Sequence, residues 1–328
     1  MKKVVVITGA SAGVGRATAH AFGARGADVA LIARGREGLE AAAAEVEARG
    51  GRALVLTADV SDAKAIDAAA ERVEETYGPI DVWVNNAMTS VIGPVSQLTA
   101  GEFRRVTEVT YLGVVHGTLS ALRRMLPRDR GAIVQVSSTL AYRGIPLQAP
   151  YCAAKHAIQG FNDSLYCELL HEESNVRLCA VNLPAMNTPQ FRWVRNHMPR
   201  KLQPFGAIYE PEVAAEAIVW ASEHGRRELN VGWGTSQAII ANSFAPALLD
   251  RHLARIGYDK QQTQEPEDPD RRDNLFEPLP GDGGTHGVFG DRAKASSPQL
   301  WANTHRGIAA AAVAVLAIAG IGSLLNRR

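Results

Sequence analysis

A tyrosine and a lysine stand four positions apart in the stretch "YCAAK", at the start of a helical run. These residues, Tyr151 and Lys155, would share one helix face, with their Cβ atoms about 5–6 Å apart. An ammonium at that distance favours the phenolate and lowers the pKa of the phenol, which makes the tyrosine a usable acid/base near neutral pH. Ser138 ends an apolar strand thirteen residues earlier, where its hydroxyl could hold a substrate oxygen. The three side chains predict proton transfer to or from an oxygen atom.

A second chemical motif is the glycine-rich stretch "ITGASAGVGRATA", which follows the β-branched run "KVVVIT" and leads into a helical pattern. Gly9, Gly13 and Gly15 have the spacing Gly-x-x-x-Gly-x-Gly, which permits a sharp turn and close backbone approach. The free N–H groups and the dipole of the helix start attract an anion. The stretch predicts a pyrophosphate site, and the alternative is a tight strand-to-helix turn that binds nothing.

The end of the second predicted strand, "LIARGR", bears on the choice of dinucleotide. NAD sites usually place an acidic residue there, about 20 residues after the glycine loop, to bind the ribose hydroxyls. Ala33 occupies that position and Arg34 follows it. A guanidinium is suited to a 2′-phosphate, so the sequence favours NADP(H) over NAD(H). The alternative is that Arg34 is a solvated loop residue.

The elements that position these residues follow from an alternation of β-branched runs with Ala-rich helical stretches between residues 1 and about 256. The runs are "KVVVIT", "DVALIA", "ALVLTA", "IDVWVNN", "AIVQVSS" and "VRLCAVN". They are continuously apolar, as in parallel strands covered on both faces. We therefore predict an α/β domain over 1–258, with a doubly wound parallel sheet, helices on both faces and ligands at the carboxyl ends of the strands.

Composition narrows the class of protein. Of the 328 residues, 46% are hydrophobic and 21% charged, which suits a sizeable core, and the net charge of +1 gives no reason to expect nucleic acid. The three cysteines have neither a metal-type spacing nor an even count, which indicates a reducing compartment and predicts a cytoplasmic domain. His116 and His171 have no partners at ligand spacing, so no metal site is expected.

The C-terminal part changes in character. Residues 259–306 are rich in Pro, Gly and Asp without a hydrophobic period, and predict a disordered, solvated linker with local contacts from Leu275, Phe276 and Phe289. Residues 307–325 carry no charge, and as a helix would reach ~28 Å, close to the ~30 Å hydrocarbon core of a bilayer. Seven alanines and three glycines weaken that match. The segment is either a membrane anchor or an Ala-rich helix that packs on protein.

Six motifs in the right order, spanning residues 3 to 250, resemble the short-chain dehydrogenase/reductase family in its single-domain branch. The motifs are "TGASAGVG", "ADV" (58–60), "NNA" (85–87), "VSS" (136–138), "YCAAK" and "NLPAMNT" (182–188). The resemblance implies a Rossmann-like sheet of about seven strands and hydride exchange between a nicotinamide cofactor and a carbonyl or secondary alcohol. It also implies a homo-oligomer.

The resemblance assigns a role to each matching residue. It implies that Tyr151 is the acid/base, that Ser138 orients the substrate oxygen, and that Lys155 binds the nicotinamide ribose and tunes the tyrosine. The cofactor-binding residues that it implies are Gly9, Ser11, Gly13, Val14 and Gly15 in the glycine loop, Asp59 and Val60 along the adenine, Asn86 and Ala87 near the adenosine ribose, and Thr188 at the nicotinamide carboxamide.

Three residues depart from the family pattern. Thr110 stands where the family has an asparagine that positions a relay water, and its hydroxyl is a candidate replacement. Met88 and Ala185 each replace a glycine. An alternative function is therefore a membrane-tethered NADP(H)-binding sensor or scaffold without turnover, although the intact proton-transfer residues oppose it. The glycine spacing also opposes the related epimerase/dehydratase branch.

The substrate is predicted to contact residues 189–209. Phe191, Trp193, Met198 and Phe205 are candidates to line an apolar pocket in this segment, while its basic residues face either an anionic substrate or solvent. A membrane anchor would favour a lipophilic substrate.

Overall fold

The structure, a computed structural model, describes residues 2–308 and confirms the predicted α/β architecture. Its strands are β1 Val4–Thr8, β2 Asp28–Ala33, β3 Arg52–Thr57, β4 Val82–Asn85, β5 Val91–Ile92, β6 Gly131–Ser138, β7 Val176–Leu183, β8 Ala185–Met186, β9 Arg195–Asn196, β10 Arg200–Leu202, β11 Ile208–Tyr209, β12 Glu228–Asn230 and β13 Gln262–Pro266. Seven of them form one parallel sheet in the order β12-β7-β6-β4-β1-β2-β3. The order reverses beside β1, which opens a crevice at the carboxyl ends of the strands.

Helices cover both faces of this sheet. They are α1 Gly13–Gly23, α2 Arg36–Ala48, α3 Ala63–Tyr77, α4 Ala100–Thr107, α5 Gly113–Met125, α6 Ala149–His171, α7 Pro211–Glu223, α8 Trp233–Phe244, α9 Pro246–Lys260 and α10 Pro298–Thr304. Alternate residues of β1 point to opposite faces, so that Val5 joins the core beneath α1, α2 and α7, whereas Val6 joins the core beneath α3, α5 and α6. These two cores hold the strand ends, and hence the site, in fixed positions.

The structure differs from the predicted linker over 259–306. β13 pairs with β10 in an antiparallel ladder, and the side chains of Leu275, Phe289 and Leu300 are buried. The sequence carried no periodic signal because these buried side chains are isolated anchors in an irregular segment. Of the predicted apolar helix at 307–325, the positions from 309 onward lie outside the described residues. Within 2–308, no helix has both the length and the hydropathy needed to cross a bilayer.

Candidate active site

The glycine loop between β1 and α1 is a tight turn that requires glycine at two positions. Gly9 has a φ of +67°, in the left-handed region, and a Cβ on Gly15 would lie 2.2 Å from the Gly9 carbonyl oxygen. Ala12 is extended and precedes the first turn of α1 at Gly13. The backbone therefore passes close to the helix N-terminus, where its N–H groups favour an anion.

Residues after β4 hold this loop in place. The Asn86 side chain donates to the carbonyls of Thr8 and Gly9 at 2.9 and 3.2 Å, and the backbone N–H groups of Asn86 and Ala87 donate to the Thr8 hydroxyl. Asn86 and Ala87 also border the cavity described next. They thus fix the loop as well as lining the predicted cofactor path.

A cavity of about 710 Å³ lies along the carboxyl ends of the strands. It brings together most of the residues predicted from the sequence. These are Gly9, Ser11, Gly13, Val14, Arg34, Asp59, Val60, Asn86, Ala87, Ser138, Tyr151, Lys155 and Thr188. Gly15 packs behind the loop instead of lining the cavity, because its Cα lies against the Gly9 backbone.

The predicted proton-transfer residues meet at one end of this cavity. Ser138 ends β6, and its hydroxyl oxygen accepts a hydrogen bond from the Leu140 N–H at 3.1 Å, so that its own proton is free to donate. Lys155 is buried, and its ammonium donates to the Val136 carbonyl at 2.7 Å. The same ammonium lies 5.5 Å from the centre of the Tyr151 ring. The tyrosine and lysine therefore share a helix face, as predicted.

The pKa of Tyr151 differs from the sequence-based prediction, which was that the neighbouring ammonium lowers it. Burial raises the pKa of Tyr151 above its ordinary value, although the neighbouring Ser138 hydroxyl acts in the opposite direction. Burial also lowers the pKa of Lys155 to about 8. The phenol is therefore not acidified here, because its desolvation outweighs the favourable groups near it. In this environment Tyr151 is a proton donor at neutral pH.

Thr110 does not reach the cavity, contrary to its proposed part in a proton relay. Its side chain is fully buried within the π-helical turn Glu108–Leu112. Its hydroxyl donates to the Thr89 carbonyl at 2.8 Å and accepts from the Thr89 N–H at 3.0 Å. The Thr110 hydroxyl is therefore hydrogen-bonded to both backbone groups of Thr89. Through these two bonds Thr110 holds the chain that follows β4, which is a structural role.

The other end of the cavity carries charged side chains. Asp59 accepts hydrogen bonds from Arg105 at 2.5 Å and from Ser61, and these groups hold its pKa below the usual value although burial acts to raise it. Arg34 donates to the carbonyls of Asn274 and Phe276, both at 2.6 Å. Burial and the nearby Arg105 lower the pKa of Arg34, but a guanidinium stays charged at any physiological pH. Arg34 and Arg105 thus place two guanidinium groups beside the carboxylate of Asp59, and we call this the cationic end of the cavity.

The substrate segment lines the cavity wall largely with apolar side chains, and its Trp193 lies beside Asn274 and Gly283, near Arg34 and the glycine loop. Phe191, Trp193 and Phe205 border the cavity, as predicted. The prediction for Met198 was wrong, since this residue does not border the cavity and packs in a cluster with Ile92, Leu147 and Leu202. The pairing of β9 with β5 places the residues that follow β9 beside Ile92, whose carbonyl accepts a hydrogen bond from the His197 N–H at 2.8 Å.

The cavity fits a nicotinamide dinucleotide on three observations. The N-terminus of α1 faces it at Gly13 and Val14, although the Gly13 N–H donates to the Gly284 carbonyl. The basic side chain of Arg34 lies at one end. In addition, Ser90 and Ser137 line the cavity with buried hydroxyls that have no hydrogen-bond partner among residues 2–308. Buried hydroxyls of this kind suit a polar ligand, because leaving them unpaired is costly.

Some residues of the site were missed by sequence reasoning. Arg105, Asn187 and the stretch 274–284 all contribute to the cavity or its rim. The stretch acts mainly through backbone carbonyls and N–H groups, which leave no side-chain signature. Leu275 and Phe289, named above as sources of local contacts and both buried, were the detectable signals, because large apolar residues are unusual in such a polar segment.

Comparisons with known proteins agree with this geometry. The sequence model of the family described as short chain dehydrogenase matches residues 3–199. The chain is 31% identical over 277 residues to the uncharacterized oxidoreductase YxnA of Bacillus subtilis (84% of this chain, 78% of the relative). It is 31% identical over 221 residues to a fatty acyl-CoA reductase of Acinetobacter baylyi (67% and 72%).

A solved structure shows the same fold. The alcohol dehydrogenase from the archaeon Thermococcus sibiricus, complexed with 5-hydroxy-NADP, aligns with a TM-score of 0.61 and 27% identity. The alignment covers 70% of this chain and 96% of that one. The chain therefore belongs to the short-chain dehydrogenase/reductase family and is an NAD(P)-dependent oxidoreductase.

Proposed function

We propose that this protein is an NADP(H)-dependent reductase of lipophilic carbonyl compounds that also catalyses the reverse oxidation of secondary alcohols. One observation carries the proposal. One cavity is lined by Arg34 and the glycine loop, by Ser138 and Tyr151, and by apolar side chains that include Ile145, Phe205 and Leu253. It has room for a dinucleotide and for an apolar substrate beside the proton donor.

The residues would act as follows. Bound nicotinamide supplies hydride in the reduction and accepts it in the oxidation. The Ser138 hydroxyl donates a hydrogen bond to the substrate oxygen and fixes its position. Tyr151 gives its proton to that oxygen during reduction and takes the proton back during oxidation. The Lys155 ammonium binds the ribose hydroxyls, and its charge beside the ring stabilises the phenolate that forms.

The preference for a lipophilic substrate is supported by the walls of the cavity and by one relative. The lining includes the apolar side chains of Ile145, Phe205 and Leu253. A relative at 31% identity is a fatty acyl-CoA reductase, whose named substrate carries a long apolar chain. Apolar walls favour such chains, because each buried methylene contributes about 0.8 kcal/mol.

The direct test is a titration of the full chain with NADPH and with NADH, followed by a panel of aliphatic ketones and aldehydes of increasing chain length. We expect NADPH to bind, and we expect kcat/KM to rise with chain length. NADPH binding without turnover on any carbonyl or alcohol would contradict the proposed reaction. Failure to bind either nucleotide would remove the proposal altogether.

Arg34 is the proposed discriminator between the two cofactors. For Arg34→Ala we expect the Kd for NADPH to rise by about tenfold or more relative to the Kd for NADH, since a charge-assisted hydrogen bond to a phosphate is worth about 1.5–3 kcal/mol. The ratio of the two Kd values is the readout. It is needed because Arg34 also binds two backbone carbonyls, whose loss would weaken both cofactors equally.

The control is Arg36→Ala, two positions away. The Arg36 side chain is 75% exposed and pairs with Glu40 on the outside of α2, so its loss should leave the ratio unchanged. If Arg34→Ala weakens NADPH and NADH to the same extent, Arg34 does not read the 2′-phosphate.

Three further features stay predictions. These are the cytoplasmic placement of the domain, a membrane contact through 307–325 and homo-oligomer formation. A membrane contact would fit a lipophilic substrate, which is the only link between the tail and the proposed chemistry.

A further inference from the structure

A stretch of the C-terminal segment crosses the opening of the cofactor cavity. We call residues 274–289 the strap. Leu275 is fully buried and Phe289 is 8% exposed, whereas none of the residues between them is buried. The strap is therefore an irregular segment held at two apolar anchors. The stretch between the anchors is rich in Pro and Gly, and it contributes little apolar burial of its own.

One anchor lies at the cationic end of the cavity. Leu275 packs against Val91 and Val106. Its carbonyl accepts a hydrogen bond from Arg105 at 3.1 Å, and the carbonyls on either side of it accept from Arg34. The two arginines at this end of the cavity therefore bind the strap directly.

The middle of the strap lies over the glycine loop. The Gly284 carbonyl accepts a hydrogen bond from the Gly13 N–H at 3.1 Å, at the first turn of α1. Asp282 forms a two-pronged ion pair with Arg16, a buried guanidinium of the same helix. The Gly281 N–H donates to Glu37 at 2.5 Å. The strap is thus fastened to the element that would bind the pyrophosphate.

The second anchor lies at the substrate end. The Gly287 N–H donates to the Asn187 carbonyl, and the Phe289 N–H donates to the Asn187 side chain, both at 3.0 Å. Asn187 directly precedes Thr188, the residue expected to meet the nicotinamide. The two ends of the strap therefore coincide with the two ends of the expected cofactor path.

We propose that the strap is a lid over the dinucleotide site, which closes on the bound cofactor and must open for the cofactor to enter or leave. The inference rests on the proposed function, since it requires a dinucleotide along the strand ends. Opening breaks polar contacts between the anchors, among them the ion pair of Asp282 with the buried Arg16, but it leaves both apolar anchors buried, so it requires no unfolding of the domain. Closure surrounds the cofactor with Arg34, the glycine loop and the strap at once.

A disulfide can lock the strap. A Cβ on Gly35 would lie 3.8 Å from the Cβ of Pro278, which matches the usual Cβ separation of a disulfide. The test variant is Gly35→Cys/Pro278→Cys in a Cys167→Ser background, because Cys167 is the exposed native thiol. The enzyme is loaded with NADPH, oxidised and mixed with excess NADP⁺, and release is followed by nicotinamide fluorescence.

We expect NADPH release from the oxidised variant to be at least about 100-fold slower than from the reduced variant, and we expect dithiothreitol to restore the rate. The two single-cysteine variants serve as controls and should show no effect of oxidation. Equal release rates in the two states would show that the strap is a fixed wall, and would overturn the lid while leaving the proposed function intact. Absence of NADPH binding in the unmodified enzyme would overturn both.

A second variant avoids any dependence on disulfide formation. Asp282→Asn weakens the ion pair with Arg16 and should speed NADPH release by about tenfold. Asp291→Asn, an exposed aspartate just beyond the strap, is the matched control and should leave release unchanged. Release that is equally fast in Asp282→Asn and in the unmodified enzyme would contradict the lid.

Discussion

Tyr151→Phe should lower kcat by about 10²–10⁴-fold, the usual contribution of a positioned acid/base, while the Kd for NADPH changes by no more than about twofold. The substitution removes the hydroxyl that donates the proton and leaves the aromatic ring in place. The contact of that ring with the Lys155 ammonium is therefore kept. A single-turnover measurement of NADPH oxidation by a carbonyl substrate isolates the chemical step from cofactor release.

The matched control is Tyr142→Phe. The Tyr142 hydroxyl donates to Glu228, outside the cavity, and burial and this carboxylate raise its pKa. We expect this variant to lose stability while its kcat stays within about twofold. Equal activity of Tyr151→Phe and the parent enzyme would show that the proton comes from another group.

The same argument fixes the direction of the pH dependence. Burial raises the pKa of Tyr151, so the phenol is protonated at neutral pH and able to act as an acid. The rate of carbonyl reduction with cofactor bound should therefore be level at neutral pH and fall as the pH rises through the pKa of the phenol. Alcohol oxidation needs the phenolate and should rise over the same interval.

The parts of the site that could be predicted from sequence are those whose spacing is set by one element. A helix alone fixes the relation of Tyr151 to Lys155, and a strand end alone fixes Ser138 at the sheet edge. The glycine loop is equally local, because Gly9 and Gly15 are required by a turn of a few residues. Continuous apolar runs marked six strands, whereas β12, with three residues and a charge, had no such signal.

The strap could not be predicted, because its contacts depend on backbone groups that every residue possesses. The Phe276 and Gly284 carbonyls accept hydrogen bonds from Arg34 and Gly13, but nothing in the residue types Phe and Gly indicates these bonds.

The partners of Arg34 could not be predicted either. A guanidinium binds phosphates and carbonyls alike, so the sequence could indicate the charge at this position but not its second partner.

Thr110 illustrates a different limit. Its hydroxyl type suggested a proton relay, but the π-helical turn directs it toward the Thr89 backbone. A departure from helical geometry by one residue changes which side chains face the cavity. That local change cannot be deduced from the spacing of residues on an ideal helix.

Lys155→Met should combine a gain in stability with a loss of function. Burial lowers the pKa of Lys155 from 10.5 to about 8, so keeping the ammonium charged in the folded protein costs about 3 kcal/mol. The variant loses the hydrogen bond to Val136, worth about 1–1.5 kcal/mol, and keeps most of the side-chain packing. We therefore expect the free energy of unfolding at pH 7 to rise by about 1–2 kcal/mol, as measured by urea titration.

The pH dependence of this gain has a definite sign. Between pH 8 and 10.5 the unfolded chain keeps the lysine proton that the folded protein has released, so the unfolded state binds more protons. The parent protein therefore becomes more stable as the pH rises through that window, through this group, whereas Lys155→Met does not. The stability difference between the two should be largest below pH 8 and should shrink toward pH 10.5.

The functional loss comes from the same ammonium. Without it the ribose hydroxyls lose a charged donor and the phenolate of Tyr151 loses its stabilising neighbour, so kcat/KM should fall by about 10³-fold or more. In the parent enzyme, the Kd for NADPH should rise above pH 8 as Lys155 loses its proton. Lys201→Met, which removes an exposed lysine paired with Glu265, should change neither the free energy of unfolding nor kcat/KM appreciably.

If Lys155→Met is less stable than the parent at pH 7, the buried charge is compensated in the fold, and its retention needs no functional explanation. If it is more stable and inactive, the ammonium is kept at a cost to the fold because the reaction requires it.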